Sequence, residues 1–160
     1  MAQSSKAASC TQCGAHAVHP LVCSGRTTRY RNMTALAIPD DFSIPTCGRC
    51  RREEIDTETR AALMKVLAEE YKKALKRRVR RAINKLTPHI TQRRLEILLG
   101  LSSGYLSRLR SGAGNPSPEL VSNLALIAKD PQVRLLELER YWTEPISEDP
   151  SSYEVSALAG

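Results

Sequence analysis

Two Cys-x-x-Cys knuckles, Cys10-Thr-Gln-Cys13 and Cys47-Gly-Arg-Cys50, constrain this chain more than any other feature. A two-residue gap lets both sulfurs of a knuckle face one cation, and the flanking Gly14 and Gly48 permit the backbone turn. Four thiolates complete a tetrahedral shell with no open position, so the expected metal is structural Zn²⁺. The 33 residues between the knuckles exceed what compact zinc fingers use. Cys23, His16 and His19 lie in that interval, and any of them is able to replace a cysteine ligand. The simpler expectation is a neutral, partly buried Cys23 and two loop histidines. A segment of about fifty residues with a single Phe and few aliphatics can hardly fold without the metal. A redox pair would need a knuckle opening a helix in a βαβ unit, and that pattern is absent.

Between the knuckles, residues 18–22 and 27–38 read as β-type runs broken by Ser24 and Gly25. Arg26, Arg29 and Arg31 punctuate the second run. Pro39, Asp40, Asp41 and Pro45 then mark a turn into the second knuckle. The expectation over residues 1–55 is a zinc ribbon, a small antiparallel β module whose ends the metal clamps.

The second informative stretch is residues 91–116, TQRRLEILLGLSSGYLSRLRSGAGNP. Gly100 stands nine positions into a helix that starts at Gln92, where a tight turn needs a residue tolerating positive φ. Leu99 and Leu101 bracket that turn, and Leu106 and Leu109 follow at i, i+3 spacing, so one face of the next helix is expected to be buried. The other face offers Ser103, Gly104, Tyr105, Ser107, Arg108 and Arg110. Such a surface suits phosphates and base edges. Thr91 is the expected N-cap of the first helix, residues 92–99, and Ser102 that of the second, residues 103–111.

Charge supports a nucleic-acid partner. The net charge is +7, and residues 65–94 hold eleven Lys or Arg against two Glu. Seven of those cations crowd between Lys72 and Arg81, whereas residues 131–160 carry two Arg against six acids. A basic block leading into a helical corner is the footprint expected of a duplex binder. Lys76, Arg77, Arg80 and Arg81 are expected to add field or flanking phosphate contacts.

Apolar residues recur near a 3.6 period from Leu63 to Leu86, after Asp56 or Thr57 as cap. A single helix there would be about 45 Å long. The expected division is a connector over 56–71 and the first helix of the next domain from Lys72, ended by Thr87 and Pro88. Two further helices follow, near residues 119–128 and 132–142. The fold class is therefore mostly α with a small zinc-bound β module: a five-helix DNA-binding domain over 72–142 behind a two-knuckle ribbon. An acidic tail, 143–160, is expected to be disordered.

The pattern Thr91-Gln92-x-x-Leu95, Gly100-x-Ser102, Leu106-Ser107, Gly112 and Pro116 resembles the XRE-type, phage-repressor-like helix-turn-helix family. The resemblance covers about residues 72–142. It implies a five-helix fold, a homodimer on palindromic operators, and phosphate contact by Gln92. The fifth motif position, usually a small Ala, is Glu96 here. Unless Glu96 swings outward or pairs with Arg93, Arg108 or Arg110, the angle between the two helices differs. A zinc module followed by such a domain is similar in architecture to MqsA-type antitoxins, which implies a toxin as a protein partner of the zinc module.

Together these features predict a non-enzymatic, sequence-specific DNA-binding regulator. Ser103, Ser107, Arg108 and Arg110 would face the groove, with Gln92, Arg93 and Arg94 on phosphates. No Ser/His/Asp set, phosphate loop or paired-carboxylate motif suggests catalysis. An interaction adaptor working through the zinc ribbon is the alternative. No apolar run approaches 18 residues and residues 1–9 lack a signal-peptide core, so the expected location is the cytoplasm, on the nucleoid, and not a membrane.

Overall fold

The computed structural model describes residues 9–145. From residue 146 the expected acidic tail lies outside the described residues. Four strands and five helices follow one another: β1 (Val18–Val22), β2 (Thr27–Tyr30), β3 (Met33–Ala37), β4 (Ser43–Cys47), α1 (Thr57–Leu86), α2 (Gln92–Leu98), α3 (Tyr105–Ser111), α4 (Pro118–Ile127) and α5 (Pro131–Thr143). The chain divides into two compact units, with the boundary between Leu75 and Lys76, inside α1.

In the N-terminal unit the strands form two antiparallel hairpin sheets rather than one ribbon. β1 pairs with β4 in the register Val18 opposite Cys47 through Val22 opposite Ser43. β2 and β3 form the second hairpin, Thr27 opposite Ala37 and Tyr30 opposite Met33. The run expected over 27–38 is thus split at Arg31 and Asn32, where Arg31 takes φ 52°. A non-glycine residue tolerates that left-handed conformation only when neighbours hold it. Here the Arg31 guanidinium stands 5.7 Å from the Tyr30 ring centre and 5.3 Å from that of Tyr71. The Tyr71 hydroxyl donates to Asn32 Oδ1 at 2.8 Å, so the hairpin tip is tied to α1. Arg26 is also structural: its guanidinium donates to the carbonyls of Cys23 and Phe42 and faces Glu53 at 3.6 Å.

Asp56 caps α1, its carboxylate accepting the Thr59 N–H at 2.7 Å. The helix runs unbroken for 30 residues, so the division expected at residue 72 is not a break in it. Its buried positions, Leu67, Tyr71, Ala74, Leu75, Val79, Ala82, Ile83 and Leu86, keep the 3.6 period throughout.

The C-terminal unit buries Leu95 and Leu98 of α2, Leu106 and Leu109 of α3, Val121 and Leu124 of α4 and Leu135 of α5. Thr91 caps α2 and Ser117 caps α4, each side chain accepting an N–H three residues on. The turn after α2 is a Schellman motif: Leu101 N–H reaches Glu96 O, Gly100 N–H reaches Ile97 O, and Gly100 has φ 63°. α5 buries less than its pattern suggests. Val133 and Leu136 are about half exposed, and Trp142, 63 % exposed, uses its indole N–H to satisfy the Leu98 carbonyl at 2.9 Å.

Leu106 has no exposed surface. Leu106→Ala is expected to cost about 2–5 kcal/mol in urea unfolding followed by circular dichroism. Ser107→Ala, one residue along on the exposed face, is expected to change stability by less than about 0.5 kcal/mol.

Candidate functional site

Backbone hydrogen bonds shape the first knuckle into a turn. Gly14 N–H donates to Cys10 O and Cys10 N–H to Ala15 O. β4 delivers Cys47 to the second knuckle, where Arg51 N–H closes back on Cys47 O and Cys47 N–H pairs with Arg52 O. Gly48 lies close against β1, where a Cβ would stand 3.0 Å from the exposed His19 ring and 3.5 Å from the Ala17 carbonyl. The result brings Cys10, Cys13, Cys47 and Cys50 together, with all four sulfurs within 4.8 Å of one another. Cys10 and Cys50 sulfurs are 3.5 Å apart, and those of Cys13 and Cys47 3.7 Å. A tetrahedron of sulfurs about 2.3 Å from a central ion has edges of about 3.8 Å, so the cluster is able to hold a metal.

The three alternative ligands are outside that cluster. Cys23 is exposed rather than partly buried. His16 Nδ1 pairs with Ser9 Oγ at 2.9 Å, and His19 lies in β1 opposite Thr46 rather than in a loop, its Nδ1 near Ala17 O.

Protonation is unequal within the metal-free cluster. Backbone N–H groups, that of Cys50 foremost, outweigh burial at Cys47 and bring its thiol down to about 6. At Cys10 the Cys13 N–H pulls the same way, but burial, the Cys50 thiol and the Glu54 carboxylate push it up to about 12. Glu54 went unread in the sequence. It accepts the Thr11 hydroxyl and N–H and stands 3.3 Å from the Cys10 sulfur. The Thr11 hydroxyl, ahead of the Cys10 thiol, the Thr11 N–H and Arg52, holds its carboxyl below the usual range. Its stabilising contribution is therefore present at neutral pH and is lost as pH falls through that lowered value.

The second candidate site is the α2–α3 corner. α3 begins at Tyr105, not at Ser103, and its N-cap is Gly104 with φ 73° and no side-chain cap bond. Ser102 is not the cap. Glu96 takes that role from α2, accepting Gly104 N–H on Oε2 at 3.0 Å and Leu106 N–H on Oε1 at 2.9 Å. Glu96 thus points inward, neither swung outward nor, among the described residues, paired with Arg93, Arg108 or Arg110. At the other end of α3, Arg80 Nε donates to Arg110 O at 3.0 Å and Lys76 Nζ to Gly112 O at 3.3 Å. Two of the cations expected to add field or flanking phosphate contacts thus donate to carbonyls at a helix C-terminus.

Ser102, Ser103, Ser107, Arg108, Arg110 and Arg93 are exposed, while Gly104 and Tyr105 are half-buried. The Arg108 guanidinium stands 5.7 Å from the Tyr105 ring centre. Arg94 faces Glu139, with Nη2 3.2 Å from Oε1, so it does not stand alone as an anion contact. Gln92 Nε2 is buried without a hydrogen-bond partner.

Native mass spectrometry is expected to find one metal ion per chain, lost in Cys47→Ser. Chelation is expected to abolish amide protection over residues 9–55 while the signals of α2–α5 persist. Full protection of both units in strong chelator, with no metal recovered, would contradict a metal centre.

Among the described residues no helix is long and apolar enough to cross a membrane. No family model matches the chain, and comparison with curated proteins and with solved structures finds no match.

Proposed function

We propose that this chain is a sequence-specific, duplex-DNA-binding regulator of transcription, acting as a repressor, with structural zinc in its N-terminal unit. The observation that carries this reading is the two-faced α3. Leu106 and Leu109 are buried, whereas Ser107, Arg108 and Arg110 face solvent. A short helix of this kind, set after a tight turn, suits the helix-turn-helix arrangement, in which the second helix enters the major groove.

Arg108 offers a planar fork that matches guanine O6 and N7, and stacking on Tyr105 limits the directions it takes. Ser103 and Ser107 are short donors for neighbouring base edges or phosphates. Arg110 faces the groove beside them, Arg93 supplies a phosphate contact, and Gln92 joins it once its amide turns outward. Arg94, shared with Glu139, contributes less. A net charge of +7 draws the duplex in.

An all-thiolate tetrahedral donor set favours Zn²⁺, which has no redox chemistry and no open position here. A second copy of the chain is part of the proposal: Val133 and Leu136, one turn apart on α5, expose apolar surface for it. The adaptor reading has one observation in its favour, Leu21 and Val22 exposed in β1. Under it, replacing both by Asp abolishes capture of a protein partner, such as a toxin, and DNA binding is incidental.

The test is enrichment of genomic fragments by the full-length, zinc-loaded protein. A shared palindromic motif is expected. Arg108→Ala should cost about 1–3 kcal/mol at one base position, whereas Arg93→Ala should weaken all sequences alike. Recovery of bulk DNA with no motif would overturn the assignment.

A further inference from the structure

Among the described residues Glu96 is the one charged side chain that is buried, 2 % exposed, and the duplex contacts proposed above do not use it. A carboxylate leaves water at great cost unless its oxygens are hydrogen-bonded. Each oxygen of Glu96 has one backbone donor, Gly104 N–H at 3.0 Å and Leu106 N–H at 2.9 Å. Those donors are the N-cap and the second residue of α3. Arg80 and Lys76 hold carbonyls at the other end, so α3 has an anion at its N-terminus and cations at its C-terminus. That order matches the helix dipole. Seven residues are too few for a helix to persist by its own propensity.

Resting on the DNA-binding reading, we infer that Glu96 is a positioning residue for sequence discrimination. Its carboxylate fixes the start of α3 and thereby the direction in which Ser107 and Arg108 meet the base edges, without touching DNA itself. Discrimination and affinity depend on geometry differently. Base-edge hydrogen bonds need donor–acceptor distances within a few tenths of an ångström, whereas phosphate attraction tolerates small displacements. Glu96→Gln keeps the shape and one acceptor oxygen but turns an NH₂ group toward the other backbone N–H. One of the two tethers is lost, and α3 gains freedom at its first turn.

The experiment compares binding of the full-length, zinc-loaded protein to its enriched duplex and to a shuffled duplex, at a temperature where wild type and variant are equally folded. Glu96→Gln is expected to lower the preference for the enriched duplex at least tenfold. Binding to the shuffled duplex should change less than threefold, with the same salt dependence. Glu96→Asp, with both oxygens on a shorter arm, is expected to fall between the two. The amide proton resonances of Gly104 and Leu106 should move upfield in step with the lost preference. A merely structural role would lower the melting temperature and leave the preference intact at equal folded fraction, and that result overturns the inference. If Glu96→Gln does not fold, Glu96→Asp decides it: reduced preference supports positioning, and unchanged preference overturns it. A wild-type protein with no preference for any duplex removes the DNA-binding reading and the inference together. A wild-type preference that survives in the variants removes the inference alone.

Discussion

The buried carboxylate of Glu96 accepts the two backbone N–H groups that begin α3, and the direction of that short helix depends on this contact. Hydrogen bonds to a charged group contribute about 1.5–3 kcal/mol each, and orphaning a buried donor costs about 1–3 kcal/mol. Either figure is large beside the marginal stability of a small unit. Burial of Leu106 and Leu109 sets which face of α3 turns inward, but apolar contacts are non-directional and tolerate small rotations and shifts of so short a helix. The paired ends do not. Glu96 holds one terminus, Arg80 and Lys76 hold the other, and the polar side of the helix is left facing water.

The N-terminal unit meets a different constraint. Its two hairpins are short, and two-stranded sheets are marginal in water without a further tie. Four sulfurs within 4.8 Å supply the place for one. The metal-free cluster is divided in proton affinity, with Cys47 giving up its proton near pH 6 and Cys10 holding its own to about 12. Thiolates are the metal-binding form, so at neutral pH Cys47 is ready to ligate whereas Cys10 gives up its proton on binding. Glu54 stands beside this exchange, anchored by Thr11 and 3.3 Å from the Cys10 sulfur.

What the sequence revealed follows from the range of each interaction. The knuckles were legible because a two-residue gap is a local rule, and so was the Thr91 cap, which reaches three residues on. The Gly100 turn was legible for the same reason. The Ser102 cap was misread because α3 starts two residues later, and Gly104 N–H, which Ser102 would have served, is met by Glu96 on another helix. A glutamate at a packing position was the available signal, and it pointed to an anomaly without naming the partner. Splitting of the 27–38 run depended on Arg31 being held between two tyrosines, one of them on α1. Only Asn32 hinted at the turn. The cations Lys76 and Arg80 read as surface charge because nothing in the sequence places the end of α3 beside them.

The most direct measurement is amide chemical-shift mapping of the full-length, zinc-loaded protein as its enriched duplex is added. The largest changes are expected at residues 103–110, with smaller ones at the start of α2 and little at α4. Large changes confined to α4, α5 or the hairpins, with 103–110 unmoved, would contradict it.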